Sequence, residues 1–256
     1  MTDATGQSDG GPPEPGAEPR STAPRAHTPD GATVKAWDVP TRLFHWLLVA
    51  LIINAYLTRY YYDDIGLFWH MVNGYALLIL IAFRVLWGLF GTSTAQFRSF
   101  IYSPVAIVRY GIDFITRKTR LFLGHNPLGG FVVVVMLGLI ALQGVTGLFA
   151  ADDILTEAPL VSTVSSQTAE QLDWIHENGF DWLLYLIGLH IFASFAYLVW
   201  KRENLILPML TGRKEPRAYE DEAQARVASP WLALLLLGVA TALVLGPVYL
   251  LNGALL

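Results

Sequence analysis

Residues 176–190, HENGFDWLLYLIGLH, carry one histidine at each end of an apolar stretch. Fourteen residues separate His176 from His190. On an α-helix this is close to four turns, so both imidazoles leave the same face about 21 Å apart. Ionisable side chains at membrane depth are costly and usually functional. The segment therefore predicts two sites, one near each surface of a bilayer.

The composition is typical of an integral membrane protein. Of the 256 residues, 54% are hydrophobic and 15% are charged, with a mean hydropathy of +0.43, whereas a soluble domain has about 25% charged residues. Absence of cysteine from the sequence excludes a c-type haem, thiolate-bound iron–sulfur clusters and disulfides. Five stretches are long enough to cross roughly 30 Å of hydrocarbon. These predicted spans, numbered I to V, cover 43–59, 70–90, 128–150, 178–200 and 230–251.

The distribution of Lys and Arg predicts the orientation of the spans, because cytoplasmic loops are enriched in both. Basic residues lie between spans II and III and after span IV, at Arg98, Arg109, Arg117, Lys118, Arg120, Lys201, Arg202, Arg213, Lys214, Arg217 and Arg226. Loop III–IV has only acidic charges, at Asp152, Asp153, Glu157, Glu170 and Asp173, and loop I–II has Arg59 beside Asp63 and Asp64. We therefore expect a cytoplasmic N-terminus and a periplasmic C-terminus in the bacterial inner membrane.

This orientation gives each histidine a depth. Span I runs outward from His45, whereas span II runs inward from His70 and span IV runs inward past His176 to His190. A low-spin b-type haem takes one axial imidazole from each of two facing helices. We therefore predict an inner pair, His45 and His190, and an outer pair, His70 and His176, each ligating one haem. A single histidine at a helix end is more often an interfacial side chain, but four at matched depths favour ligation.

Three further residues are candidates for contacts with a haem propionate or a quinone. Arg84 lies fourteen residues after His70, on the same helical face, where it either meets a propionate or snorkels to the cytoplasmic interface. Arg42, one turn before His45, is a second candidate. His125, at the start of span III, is expected to cap that helix, bond a propionate or contact a quinone. An amphipathic segment is predicted near 104–119, on the cytoplasmic surface.

The sequence divides into four parts. Residues 1–34 contain six of the fourteen prolines and are expected to form a disordered cytoplasmic tail without the apolar region of a signal peptide. Residues 35–214 form the predicted dihaem membrane domain, 215–229 a cytoplasmic linker and 230–256 a fifth transmembrane helix, which packs outside the haem bundle or docks a partner subunit. The predicted fold class is an all-α integral membrane protein, a four-helix haem-binding bundle with one additional C-terminal transmembrane helix.

Several stretches within residues 35–214 carry a family resemblance. They are WDVPTRLFHW (37–46), WHMVNGY (69–75), FRVLWG (83–88), GHNPLGG (124–130), LIGLH (186–190) and KRENLILPMLTGRK (201–214). Together they resemble the bacterial cytochrome b561 family, which includes the b-type subunits of membrane-bound hydrogenases. The resemblance implies a four-helix core that holds two haems b and exchanges electrons between the quinone pool and another redox partner. Its axial ligands match the four histidines of the inner and outer pairs, whereas span V departs from the four-helix core.

The predicted function is electron transfer across the membrane between quinone and a periplasmic partner, either a c-type cytochrome or a hydrogenase or dehydrogenase subunit. Whether the protein is itself a quinone oxidoreductase stays open, and no nucleic-acid partner is expected. One alternative is a superoxide:quinone oxidoreductase, although the outer loops lack cations to attract a small anion. A ferric-reductase-like protein would need histidine pairs on two helices. A haem-free anchor or metal transporter is the remaining alternative, although metal sites usually gather three or four ligands.

Overall fold

The structure is a computed structural model that describes residues 33–60, 62–118, 120–150 and 158–253. Its elements in chain order are β1 (Val34–Lys35), α1 (Val39–Tyr60), α2 (Tyr62–Phe90), α3 (Phe97–Phe100), α4 (Pro104–Ile115), α5 (Pro127–Gly147), α6 (Ser166–Ala196), α7 (Ile206–Thr211), β2 (Arg213–Lys214) and α8 (Pro230–Asn252). Two 3₁₀ turns cover Ser93–Ala95 and Val161–Thr163, and a π-helical turn, Tyr197–Lys201, continues α6. The predicted tail up to residue 32 and the side chains of Arg59, Asp63, Asp64, Asp152, Asp153 and Glu157 lie outside the described residues.

Five of the described helices are long and apolar enough to cross a membrane, which confirms the predicted fold class. Their candidate spans are Val39–Thr58, Phe68–Phe90, Pro127–Gly147, Ser166–Lys201 and Pro230–Asn252. The fourth helix begins well before the predicted residue 178. Ser165 caps it by accepting a hydrogen bond from the Thr168 N–H at 3.2 Å, and its first turns are too polar for a hydropathy pattern to detect. His176 and His190 consequently lie within one continuous helix.

Polar caps determine where α4 and α5 begin. The Asn126 side chain accepts a hydrogen bond from the Gly129 N–H at 2.8 Å, and Pro127 occupies the first turn of α5, where its missing N–H costs nothing. Asn126 therefore caps α5, and the capping role expected for His125 is wrong. Ser103 and Pro104 start α4 in the same way, and this helix falls within the predicted segment 104–119.

The main core is built from apolar side chains of the five long helices. It includes Leu80, Leu137, Leu183 and Ala240, each of which is buried. Helix α8 packs along α2 and inserts Leu236 and Ala240 into this core. The histidine-bearing helices are α1, α2 and α6, so α8 joins the bundle without contributing a candidate ligand.

A short antiparallel sheet joins the two ends of the predicted membrane domain. Val34 pairs with Lys214, and Lys35 with Arg213, so residue 34 belongs to the folded part and not to the predicted tail. Residues 213–229, which we term the strap, fold back over the loops at this end of the bundle. The Asp221 carboxylate accepts hydrogen bonds from the Leu123 and Gly124 N–H groups at 2.6 and 2.8 Å. The predicted linker is therefore attached beside His125.

Candidate cofactor sites in the membrane bundle

The structure brings the two imidazoles of the outer pair together. The ring centroids of His70, on α2, and His176, on α6, are 6.1 Å apart, and the ring planes are nearly perpendicular at 89°. Two imidazoles on opposite sides of one metal ion, each at roughly 2 Å, have centroids about 6 Å apart. The spacing therefore fits a single iron between the rings.

Hydrogen bonds to Nδ1 orient both imidazoles of the outer pair. The Thr58 hydroxyl donates to the Asn54 carbonyl at 2.9 Å, so at its 3.0 Å contact with His70 it accepts from Nδ1–H. His176 Nδ1 lies 2.8 Å from the backbone carbonyl oxygen of Gln143 and donates to it. In both rings Nε2 then becomes the nitrogen that would bind iron. A partner that fixes the tautomer and the ring orientation is characteristic of a metal-binding histidine.

Thr58 and Gln143 are site residues that sequence reasoning missed. Each carries a polar side chain inside an apolar span: the Thr58 hydroxyl contacts His70 Nδ1, whereas the Gln143 side-chain amide donates to the His176 backbone carbonyl. A polar group buried in hydrocarbon needs such a partner. The sequence could therefore have predicted that these side chains have polar partners, although not which ones. Gly147 also packs against the outer pair, since a Cβ there would lie 2.7 Å from His176 Cε1.

The inner pair lies at the other end of α6. His45, on α1, is within electrostatic range of His190, and both act on His125. The backbone carbonyl of His190 accepts a hydrogen bond from the Ser194 hydroxyl at 2.9 Å. His45 Nδ1 is buried and has no hydrogen-bond partner among the described residues. His45 and His190 thus lie within electrostatic range of each other and of His125, and a polar atom of His45 is left unsatisfied among the described residues.

Arg84 does not snorkel to the interface. Its side chain is 2% exposed, and the guanidinium carbon lies 5.3 to 6.0 Å from the ring centroids of Phe44, Phe97 and Phe100. Its Nη1 is buried without a hydrogen-bond partner in the part of the chain that is described. Leaving a charged donor unsatisfied in such surroundings is costly. An anionic acceptor such as a propionate would satisfy it.

Arg42 and His125 present further donors at this end of the bundle. Arg42 Nη2 donates to the Leu210 carbonyl at 2.5 Å, whereas its Nε is buried without a partner among the described residues. The His125 ring lies between Trp37 and Phe100, with centroids 4.8 and 4.7 Å away, and its Nδ1 is likewise unsatisfied.

Burial lowers the pKa of His125 to about 3, and the positive charges of Arg84 and Lys214 add to this effect. The imidazole is therefore neutral at physiological pH. A neutral imidazole near the cations of Arg84 and Lys214 forms a set of groups suited to an anionic or polar group such as a carboxylate.

Some glycines near the histidines allow close helix packing, whereas others border open space. A Cβ at Gly144 would lie 2.7 Å from Leu78 Cδ2, so this residue permits close packing of α5 on α2. A Cβ at Gly74 or Gly188 would have no heavy atom within 4 Å. Gly74 lies one turn after His70, and Gly188 precedes His190 by two residues. Open space beside two candidate ligands fits the approach of a flat macrocycle.

Comparisons with known proteins show which family the chain resembles. The family model for prokaryotic cytochrome b561 matches residues 36–212. A relative named "Probable Ni/Fe-hydrogenase B-type cytochrome subunit" from Rhizobium leguminosarum bv. viciae is 24% identical over 222 residues, covering 74% of this chain and 92% of the relative. A relative of the same name from Bradyrhizobium diazoefficiens is 23% identical over 226 residues, covering 72% of this chain and 87% of the relative.

No solved structure matches the chain significantly. The family match extends from the residue after β1 almost to β2 and includes all four paired histidines. The five apolar helices agree with a protein that crosses the membrane several times. The chain therefore belongs to the prokaryotic cytochrome b561 family, whose members are multi-pass membrane cytochromes that bind haem b and transfer electrons.

Proposed function

We propose that this cytochrome holds two haems b and carries electrons across the bacterial inner membrane between the quinone pool and a periplasmic redox partner. The observation that carries the proposal is the outer pair, whose ring centroids are 6.1 Å apart and whose Nδ1 atoms are hydrogen-bonded. His190 of the inner pair lies fourteen residues after His176 on α6. This spacing supports a second site at another depth.

Haem supplies reversible one-electron chemistry when it is bound. The chain positions its four imidazoles for this purpose. Thr58 and Gln143 hold the outer rings in one tautomer, and Arg84 offers a buried positive charge beside Phe44, the residue before His45. Between the two levels, the Phe180 ring of α6 stacks on Tyr56 of α1 with centroids 6.3 Å apart. This ring contact joins α1 and α6 between the two sites.

The quinone is proposed to react at the end of the bundle that contains His125. This placement is supported by the neutral imidazole of His125 and by Arg84 Nη1, which has no hydrogen-bond partner among the described residues. Tyr110 and Tyr197 lie at the same end, with their hydroxyl oxygens 3.2 Å apart. Burial raises the pKa of Tyr110 above its ordinary value of 10.0, so its hydroxyl stays protonated at neutral pH and is available as a donor.

The proposed partner at the opposite end is a hydrogenase. The names of the two rhizobial relatives support this choice, and the acidic loop III–IV is suited to a basic partner surface. The excess of Lys and Arg around α4 and the strap supports a cytoplasmic location for the His125 end. A periplasmic c-type cytochrome is the alternative partner, distinguished by which protein copurifies with the chain.

The proposal is tested by counting haems in the purified protein and recording reduced-minus-oxidised spectra. We expect two haems per chain in the wild type and one after His190→Ala, with the outer-haem absorbance retained. His27→Ala, which changes a histidine of the N-terminal region, is the control and should retain two. A single haem in the wild type, or loss of only part of one haem in the variant, would contradict the proposal. Circular dichroism of each variant separates loss of haem from loss of helical structure.

A further inference from the structure

Two reversals of chain direction, one after α4 and one after the π-helical turn of α6, lie close together and carry four basic residues. Helix α4 ends at Ile115 and is followed by Arg117 and Lys118, while the π-helical turn after α6 ends in Lys201 and Arg202. We term these four basic residues the cation cluster. None of them is among the groups assigned above to the haem or quinone sites.

Aromatic contacts fix the two reversals against each other. The Phe114 and Tyr197 ring centroids are 4.7 Å apart. The Arg117 guanidinium lies 4.0 Å from the Trp200 ring centroid, and Lys201 Nζ lies 5.1 Å from that of Phe114. The cations from the two reversals are therefore held on one shared aromatic surface.

Both reversals have an arginine in the left-handed region. Arg117 has a φ of 60° and Arg202 a φ of 54°, and they are the non-glycine residues with positive φ in the described part of the chain. This conformation is uncommon for side chains other than Asn, Asp and Gly. Such backbone strain tends to persist at ligand clamps and other functional positions. In each reversal the left-handed arginine stands next to a second cation, Lys118 after Arg117 and Lys201 before Arg202.

The positive charge of the cation cluster exceeds the negative charge near it. Asp113 and Glu203 are the carboxylates that act on Lys201, but Glu203 also lies 3.5 Å from Lys214 Nζ. The C-termini of α4 and α6 add roughly half a negative charge each. In the part of the chain that is described, two carboxylates, one of them shared with Lys214, thus act on Lys201 beside the cation of Arg117. Lys201 Nζ is buried and has no hydrogen-bond acceptor among the described residues.

The surroundings of the cluster match the headgroup level of a membrane. Trp200 is 48% exposed although it is large and aromatic, and exposed Trp is typical of the membrane–water interface. Ile115 and Val199 flank the cluster and are 73% and 77% exposed. On α4, Val105, Val108, Ile112 and Ile115 form one exposed apolar stripe, as in helices that lie in the interface plane.

We infer that the cation cluster binds the phosphodiester group of an anionic phospholipid. The planar guanidinium of Arg117 can donate two parallel hydrogen bonds to phosphate oxygens, and the phosphate would supply the acceptor that Lys201 Nζ lacks. The acyl chains would lie along the exposed side chains of Ile115 and Val199. Basic pockets between membrane helices on the cytoplasmic side bind such headgroups in other proteins.

The experiment uses the full-length, haem-loaded protein in nanodiscs of phosphatidylcholine with increasing phosphatidylglycerol. Native mass spectrometry then counts the phosphatidylglycerol that each chain retains. We expect Lys201→Met and Arg117→Gln each to weaken retention about fivefold, the effect of removing roughly one cation's attraction to an anionic lipid. Arg120→Gln is the matched control, because Arg120 lies at the same end but pairs with Glu220 at 3.3 Å. It should retain the lipid as the wild type does.

A second arm separates a lipid site from a site for a free anion. Inorganic phosphate at millimolar concentration should not displace phosphatidylglycerol, since it lacks the acyl chains that contact the apolar stripe. Displacement by phosphate would overturn the lipid assignment, and so would equal retention of phosphatidylcholine and phosphatidylglycerol. Unchanged retention in Lys201→Met would also overturn it. The haem absorbance of each variant reports whether the bundle has folded.

Discussion

The outer and inner pairs share helix α6 but lie in different surroundings. In the outer pair, neutral groups hold Nδ1 of each ring: the Thr58 hydroxyl for His70 and the Gln143 carbonyl for His176. At the inner level, His45 Nδ1 is unsatisfied within the described residues and Arg84 is buried close by. The outer site thus has hydrogen bonds that set ring orientation, whereas the inner level has the buried guanidinium of Arg84 against Phe44, within range of the buried Asp38 carboxylate.

The difference suggests separate tasks for the two sites. Hydrogen bonding to Nδ1 strengthens an imidazole as a ligand and fixes its direction. A buried positive charge instead stabilises the form of a redox centre that has gained an electron. We therefore expect the inner haem to be the better electron acceptor, which favours electron flow from the outer pair towards the inner pair.

The strongest test of the comparison is a set of double substitutions. His70→Ala combined with His176→Ala removes both outer ligands and should leave one haem per chain. His70→Ala combined with His190→Ala removes one ligand from each pair and should leave none. Haem quantification by pyridine haemochrome distinguishes the two results. One haem in the second variant would show that the four histidines pair differently.

Thr58→Val tests whether the outer site depends on hydrogen bonding. It removes the acceptor for His70 Nδ1–H and should weaken haem binding at the outer site by about 10- to 100-fold. Haem transfer to apomyoglobin measures the change. Thr146→Val is the matched control, because Thr146 is equally buried and donates to the Leu142 carbonyl of its own helix at 2.9 Å. A similar loss in both variants would indicate a general packing effect.

Arg84→Gln tests whether the inner site depends on charge. Removing the guanidinium should lower the midpoint potential of the inner haem by on the order of 60 mV, about 1.4 kcal/mol for one electron. Redox titration of the α-band should show the outer potential unchanged. Arg84→Lys keeps the charge and should restore most of the inner potential. Equal shifts in the midpoint potentials of both haems would contradict the proposal that charge matters at the inner site alone.

His125→Gln should have the smallest effect on haem content and potential, and its effect on folding should appear in the pH dependence of stability. Burial holds the pKa of His125 at about 3, below its ordinary value of 6.5, so the unfolded chain binds more protons than the folded chain between these values. Stability should therefore rise with pH across this window and be lost as the pH falls. Thermal unfolding between pH 5 and 7 should show a shallower slope in the variant. An identical slope would mean that His125 is not held neutral by burial.

Residues 176–190 illustrate how far sequence reasoning reached. Apolar composition and helical rise predicted five spans and placed His176 and His190 at two levels, because both properties are read locally along the chain. The start of α6 at Ser166 was not predicted, since its first turns are polar. Capping of α5 was one of three roles expected for His125, but Asn126 forms the cap, because adjacent polar residues compete for that role and only the backbone geometry selects one.

By itself, the sequence determined the membrane class, the spans and the candidate ligands, because hydropathy and periodicity are local properties. Tertiary structure alone decided that Thr58 of α1 meets His70 of α2 and that Gln143 of α5 meets His176 of α6. It also decided that Arg84 is buried rather than exposed at the interface, since the surrounding rings come from α1 and α3. Such contacts depend on how separate helices pack, and no local pattern encodes which polar groups will then face each other.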